Sequence, residues 1–103
     1  MRIREFQEMM RRIYYEKDRR RGVERTYIWL VEEVGELGRA IIRGDIREIG
    51  TEVADVMAWL ASLCNLLELD LEKMCLNKYP GVCPRCGSVP CKCNEPRGRR
   101  LAL

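Results

Sequence analysis

The chain has 103 residues, of which 47% are hydrophobic and 34% charged, the ordinary composition of one small globular domain. Its formal net charge is +3, and the excess lies at the C-terminal end, where residues 83–103 hold five basic side chains and one acidic one. This imbalance is too weak to indicate nucleic-acid binding by the rest of the protein. The chain has no histidine, which excludes histidine-based catalysis and every metal site that contains histidine.

Four helices are predicted in chain order, which makes the fold class all-α: a helical bundle of about four helices. Helix-breaking Gly and Pro residues and a capping Asp set the expected boundaries. The predicted helices cover Ile3 to Arg20, Glu24 to Arg43, Ile46 to Leu67, and Asp70 to about Tyr79. The stripe of the second helix expected to face the core is formed by Tyr27, Leu30, Val31, Val34, Leu37, Gly38 and Ile41.

The sequence divides into a predicted helical domain at residues 1–80, a cysteine-rich module at 81–95 and a basic tail at 96–103. The N-terminus reaches charged residues at once and lacks the apolar region of a secretory signal. The longest stretch without charge, residues 56–67, is twelve residues long and too short to span a membrane. We therefore expect a soluble cytoplasmic protein with no membrane partner.

Two pairs of acidic residues are the most informative feature of the chain. They are Glu33 and Glu36 in the second predicted helix, and Glu52 and Asp55 in the third. Residues three apart share one face of a helix, so each pair directs its carboxylates to one side. If the two helices pack together, four carboxylates meet, and their mutual repulsion calls for a cation.

The pattern of the third helix indicates that Glu52 and Asp55 are not simply exposed to solvent. Glu52 projects within the same arc as the apolar Val56, Trp59 and Leu63, and Asp55 lies at the edge of that arc. A carboxylate buried there without a partner would be costly, and few basic residues are near in sequence. A metal ion is the simplest partner.

Ligands that are all oxygen select Mg²⁺, with Mn²⁺ as the alternative, over zinc. Such an ion is suited to neutralising a polyphosphate and activating water for attack at phosphorus. One carboxylate could instead act as the general base, and the pattern does not identify which. Trp29 lies between the directions of Glu33 and Glu36, either as a stacking surface for a base or as packing in an oligomer.

The acidic motifs resemble those of the MazG-like branch of the all-α nucleoside triphosphate pyrophosphohydrolases. The family motif, Glu-x-x-Glu followed after a spacer by Glu-x-x-Asp, is matched by residues 30–41 and 51–60. The resemblance extends over residues 1–80, including Lys17 and the run that begins Asn77-Lys78.

This resemblance implies that Glu33, Glu36, Glu52 and Asp55 are both the catalytic residues and the Mg²⁺ ligands. It implies hydrolysis between the α- and β-phosphates of a nucleotide, giving a monophosphate and pyrophosphate. It also implies a homodimer or homotetramer whose sites lie between protomers. The candidate substrate contacts are Trp29, Lys17, Asn77 and Lys78.

The C-terminal module places Cys83, Cys86, Cys91 and Cys93 within eleven residues. In an intracellular chain this spacing favours a structural Zn²⁺ over disulfides or unliganded thiols, and an iron–sulfur cluster is a further alternative. Bracing the end of the fourth helix is the preferred role, ahead of a subunit contact or a basic binding surface. Cys64 and Cys75 are predicted to be core thiols.

Two other functions are compatible with the sequence. A non-catalytic zinc-knuckle adaptor would bind nucleic acid or protein through residues 83–103, although the acidic quartet disfavours it because an adaptor needs no such cluster. A nucleotide sensor would bind the metal–nucleotide complex without turnover, and only kinetics separates it from the enzyme.

Overall fold

The computed structural model describes residues 1–94. Within them the chain forms four helices and no strand: α1 (Ile3–Arg21), α2 (Val23–Arg43), α3 (Ile46–Leu66) and α4 (Leu71–Lys78). This confirms the predicted all-α bundle, with boundaries within one residue of those expected. The predicted basic tail at 96–103 and Glu95 lie outside the described residues. None of the described helices is both long enough and apolar enough to cross a membrane.

The chain divides into two compact units, Met1–Glu72 and Lys73–Leu103. The predicted domain boundaries at residues 80 and 95 remain predictions. In the first unit, α2 and α3 pack along each other, and α1 packs mainly on α3. Because only Gly44 and Asp45 link α2 to α3, the two helices form an antiparallel hairpin. Gly44 caps α2 in the left-handed conformation (φ 78°), which glycine adopts without steric cost, and the Asp45 side chain accepts a hydrogen bond from the Arg47 amide.

The first unit joins α1 to the end of α3 through a buried polar network. The Gln7 side-chain amide donates to Asn65 Oδ1 at 2.9 Å and to the Leu69 carbonyl at 2.8 Å. The Asn65 amide donates back to the Gln7 carbonyl at 3.2 Å, and the Leu71 amide donates to Gln7 Oε1 at 2.9 Å. Every polar atom of the Gln7 side chain is thereby satisfied, and the register of α1 against α3 is fixed.

The face of α2 that packs inward differs from the predicted stripe. Thr26 and Ala40 are fully buried, and Leu30, Glu33 and Leu37 are half-buried. In contrast, Tyr27, Val31, Val34 and Ile41 are 50–58% exposed, and we call these four residues the outer face of α2. The prediction that they face the core of the single chain is therefore wrong. Its cause is that α2 is apolar over a wide arc, so periodicity alone cannot decide which part of the arc packs on α3.

The two cysteines outside the C-terminal cluster differ in their exposure to solvent. Cys64 is buried in α3, as predicted. Cys75 is exposed on α4, so the prediction of a core thiol there is wrong. The helical pattern of α4 is short, only eight residues, and gives a poor indication of its buried side.

Candidate metal and nucleotide site

The α2–α3 hairpin brings three of the four predicted carboxylates together. Glu33 of α2 and Glu52 and Asp55 of α3 each offer an oxygen, and these oxygens all lie within 4.8 Å of one another. Glu33 and Asp55 are almost equally far from the turn at Gly44, so antiparallel packing places them side by side. All three residues are half-buried, as the apolar arc of α3 predicted for Glu52.

The electrostatics of this acidic cluster (Glu33, Glu52 and Asp55) are those of a site short of positive charge. The pKa of Glu33 is raised, first because burial penalises the carboxylate, then by a hydrogen bond with Glu52 and by the negative charges of Asp55 and Glu52. Glu52 Oε2 is buried and has no hydrogen-bond partner among the described residues. A buried, unpartnered carboxylate oxygen beside two more carboxylates is a donor set that fits a hard divalent cation.

The fourth predicted ligand, Glu36, is placed differently. It lies one helical turn after Glu33 and forms an ion pair with Arg39, and this hydrogen bond lowers the pKa of Glu36. The group of three converging carboxylates does not include it. Arg39 and Glu36 are both on the surface, so the pair can open at little cost. Glu36 as a metal ligand remains a prediction.

Two stacked tryptophans lie about one helical turn from the acidic residues along α2 and α3. The ring centroids of Trp29 and Trp59 are 5.9 Å apart with an interplanar angle of 17°. The Arg21 guanidinium lies 4.6 Å from the Trp59 ring centroid. Trp29 remains 47% exposed, so the aromatic pair presents a partly open apolar surface.

A buried acidic residue fixes the position of Arg21. Asp18 is 1% exposed, and its Oδ1 accepts a hydrogen bond from Arg21 Nη1 at 2.8 Å. The same nitrogen lies 3.3 Å from Thr26 Oγ1, and Thr26 donates to the Gly22 carbonyl at 2.7 Å. This network joins the end of α1 to the beginning of α2, and Arg21 connects it to the Trp59 ring.

Sequence reasoning singled out Trp29 but missed the roles of Trp59, Arg21 and Asp18. The signal for Trp59 was present. Trp29 precedes Glu33 by four residues, and Trp59 follows Asp55 by four. In an antiparallel hairpin these equal offsets bring the two rings to the same level, one turn from the carboxylates.

The remaining predicted substrate contacts are divided between the two units. Lys17 is exposed on α1 in the first unit. Asn77 and Lys78 are exposed at the end of α4 in the second unit, where Lys78 Nζ lies 5.8 Å from the Tyr79 ring centroid. Their roles as substrate contacts remain predictions.

The second unit gathers the four predicted thiols of the C-terminal module. The Sγ atoms of Cys83, Cys86, Cys91 and Cys93 all lie within 4.8 Å of one another, and none forms a disulfide. Hydrogen bonds from the Lys92 and Ser88 amides lower the pKa of Cys86 to about 6. This cysteine cluster could hold a metal ion, as the sequence predicted.

The pKa values within the cysteine cluster diverge. Amides of Cys86 and Arg85 lower the pKa of Cys83. A hydrogen bond with Cys91, followed by burial, raises the pKa of Cys93 to about 12. Four thiols this close cannot all ionise without a cation between them.

The fold and the acidic cluster define a class of protein: an all-α domain whose helical hairpin carries a candidate metal centre of oxygen ligands. The chain belongs to the MazG nucleotide pyrophosphohydrolase domain family, because the family model matches residues 21–87. This confirms the resemblance seen in the two acidic motifs. The matched span contains all four predicted acidic ligands and ends before Cys91 and Cys93. Comparison with curated proteins finds no matching sequence.

Proposed function

We propose that this protein is a divalent-metal-dependent nucleotide pyrophosphohydrolase. It cleaves a nucleoside triphosphate between the α- and β-phosphates and releases a nucleoside monophosphate and pyrophosphate. The observation that carries the proposal is the convergence of Glu33, Glu52 and Asp55 from two helices around a buried, unpartnered oxygen of Glu52. Membership of the MazG family supplies the reaction class.

In this proposal the acidic cluster would hold Mg²⁺ or Mn²⁺, and Glu36 would join the ligand set once its ion pair with Arg39 opens. The bound ion would neutralise charge on the polyphosphate and favour deprotonation of the attacking water. A carboxylate oxygen of these four acidic residues that does not contact the ion would accept the proton of that water. Water adds to phosphorus, and pyrophosphate leaves with the bridging oxygen.

The aromatic pair is proposed to hold the base. Trp29 offers an exposed indole face, and its stacking on Trp59 restricts the orientation of that face. Stacking on a π-surface contributes about 1–3 kcal/mol per base and tolerates different bases. Lys17, Asn77 and Lys78 are proposed to contact phosphate or sugar.

We further propose that the protein works in the cytoplasm as a homodimer or homotetramer. The outer face of α2 supports the assembly, because four large apolar side chains are half exposed along one helix. None of the cysteines of the described residues forms a disulfide, which fits a reducing compartment.

The activity is tested with a panel of nucleoside triphosphates in Mg²⁺, Mn²⁺ or EDTA, with separation of the products. We expect monophosphate and pyrophosphate with either metal and neither product in EDTA. Glu52→Gln and Asp55→Asn should each lower kcat/KM by at least about 100-fold, since even supporting residues of metal sites cost 10–100-fold.

Glu32→Gln is the matched control, because Glu32 is an exposed neighbour of Glu33 that lies outside the acidic cluster. Its activity should equal that of the unaltered chain. Release of diphosphate and orthophosphate would show that a different bond is cut. Full activity in Glu52→Gln and Asp55→Asn would remove the proposed ligands.

A further inference from the structure

The distances within the cysteine cluster match a tetrahedral complex rather than disulfides. The Sγ atom of Cys83 lies 3.6 Å from that of Cys91 and 3.8 Å from that of Cys93. Sulfur atoms at about 2.3 Å from a tetrahedral Zn²⁺ are roughly 3.8 Å apart. A disulfide would bring two sulfur atoms to about 2.05 Å. The observed spacing leaves room for an ion at the centre.

The backbone around the cluster is arranged to support thiolates. The Lys92 amide donates to Cys86 Sγ at 3.3 Å, and the Cys93 amide donates to Cys91 Sγ at 3.4 Å. The loop between the first two cysteines closes through the Gly87 amide, which donates to the Cys83 carbonyl at 2.8 Å. Gly87 has a φ of 73°, which favours glycine and allows this tight turn. Amide donors to sulfur stabilise negative charge and fix the orientation of metal ligands.

This segment lacks an apolar core of its own. Residues 81–94 are all exposed or half-buried, and they form neither helix nor strand. Ordering each residue costs backbone entropy, which scattered exposed side chains such as Val89 cannot offset. The binding energy of a structural zinc ion acts as folding energy and can hold such a segment in one conformation.

We infer that Cys83, Cys86, Cys91 and Cys93 bind one Zn²⁺ ion in a closed four-thiolate site that holds residues 81–94 in their fold. Four protein ligands leave no open position, so the ion is structural and takes no part in hydrolysis. The complex carries net negative charge, and the cations Arg85 and Lys92 lie between its ligands in sequence. The site is separate in sequence and chemistry from the acidic cluster, whose oxygen ligands select a different class of metal.

The test is elemental analysis of the full-length protein purified without added metal or chelator. We expect about one zinc per chain and no iron. Cys86→Ser and Cys91→Ser should each lower the zinc content at least about tenfold. Cys75→Ser is the matched control, because it removes an exposed thiol outside the cluster, and it should retain zinc. Circular dichroism of each variant should retain the helical signal, since α1, α2 and α3 lie in the other unit.

Limited proteolysis provides a second readout. Trypsin cleaves after Arg85 and Lys92, which the zinc complex should protect and a zinc chelator should expose. The inference is overturned by a purified chain that contains iron or no metal, by disulfides among the four cysteines, or by cleavage at these sites that is indifferent to chelation. Glu52→Gln should keep its zinc, so failure of the zinc site and failure of the proposed hydrolase activity are distinguishable.

Discussion

At the scale of single residues, the acidic cluster is held together against its own repulsion. Glu33 resists ionisation because burial, a hydrogen bond with Glu52 and the charge of Asp55 all favour its protonated form. The ordinary pKa of this carboxyl is 4.5. Folding therefore raises the proton affinity of Glu33, and the folded state loses stability as pH rises from 4.5 through the higher folded-state pKa.

A first prediction follows for the protein in EDTA. Glu33→Gln should raise Tm relative to the unaltered chain at neutral pH. The difference should shrink towards zero as the pH falls through 4.5, because Glu33 is then increasingly protonated in both states. Added Mg²⁺ should raise Tm of the unaltered chain more than that of Glu33→Gln, because a cation relieves the same repulsion. Thermal unfolding followed by circular dichroism between pH 4 and pH 8 measures both effects.

Glu32→Gln is the control for a change of one charge on α2, and its Tm should depend on pH as that of the unaltered chain does. A Glu33→Gln protein that is less stable than the unaltered chain at neutral pH in EDTA would contradict the account of repulsion.

The sequence predicted which residue types form the candidate metal site better than it predicted the partners of individual side chains. Glu52 could be predicted as half-buried because it shares an arc with apolar neighbours. The pairing of Glu36 with Arg39 could not be predicted. The two residues are three positions apart on one helix face, and Arg39 competes with a metal ion for the Glu36 carboxylate. The Gln7–Asn65 network was also missed, since it joins residues 58 positions apart that carry no common motif.

At the scale of elements, α2 carries two neighbouring surfaces, one that packs inward and one that is exposed. One arc carries the buried or half-buried Thr26, Glu33 and Ala40, and the other is the outer face. Helix existence and ends could be read from caps and breakers, notably Gly22, Gly44 and Asp45. Which side of α2 faces the core could not be read from the sequence, because the hydrophobic arc is wider than the surface that one partner helix covers.

The outer face gives a prediction for assembly. Ile41→Glu places a charge on that face, two helical turns from Glu33, and should convert the oligomer into a monomer. Ile46→Glu is the control, because Ile46 is 77% exposed on α3 and lies outside the outer face. Light scattering after size exclusion should give two or four chain masses for the unaltered protein and the control. A monomeric unaltered protein at all concentrations would contradict the assembly.

At the scale of the whole molecule, two compact units carry two sets of metal ligands with opposite chemistry. The first unit offers carboxylate oxygens on rigid helices, and the second offers thiols on a loop. Hard cations suit the first set and zinc suits the second, so one chain offers a separate candidate site to each class of ion. The class of each site was predictable from residue types and spacing, whereas the convergence of three carboxylates rather than four required the structure.

The central claim is that side chains from α2 and α3 share one divalent cation at the hairpin. It is tested most directly by a crystal structure of the protein grown with Mn²⁺ and a non-hydrolysable nucleoside triphosphate. The account predicts an anomalous manganese peak in contact with Glu33, Glu52 and Asp55 and with phosphate oxygens of the nucleotide. Nucleotide bound away from the hairpin, with no manganese among these carboxylates, would contradict it.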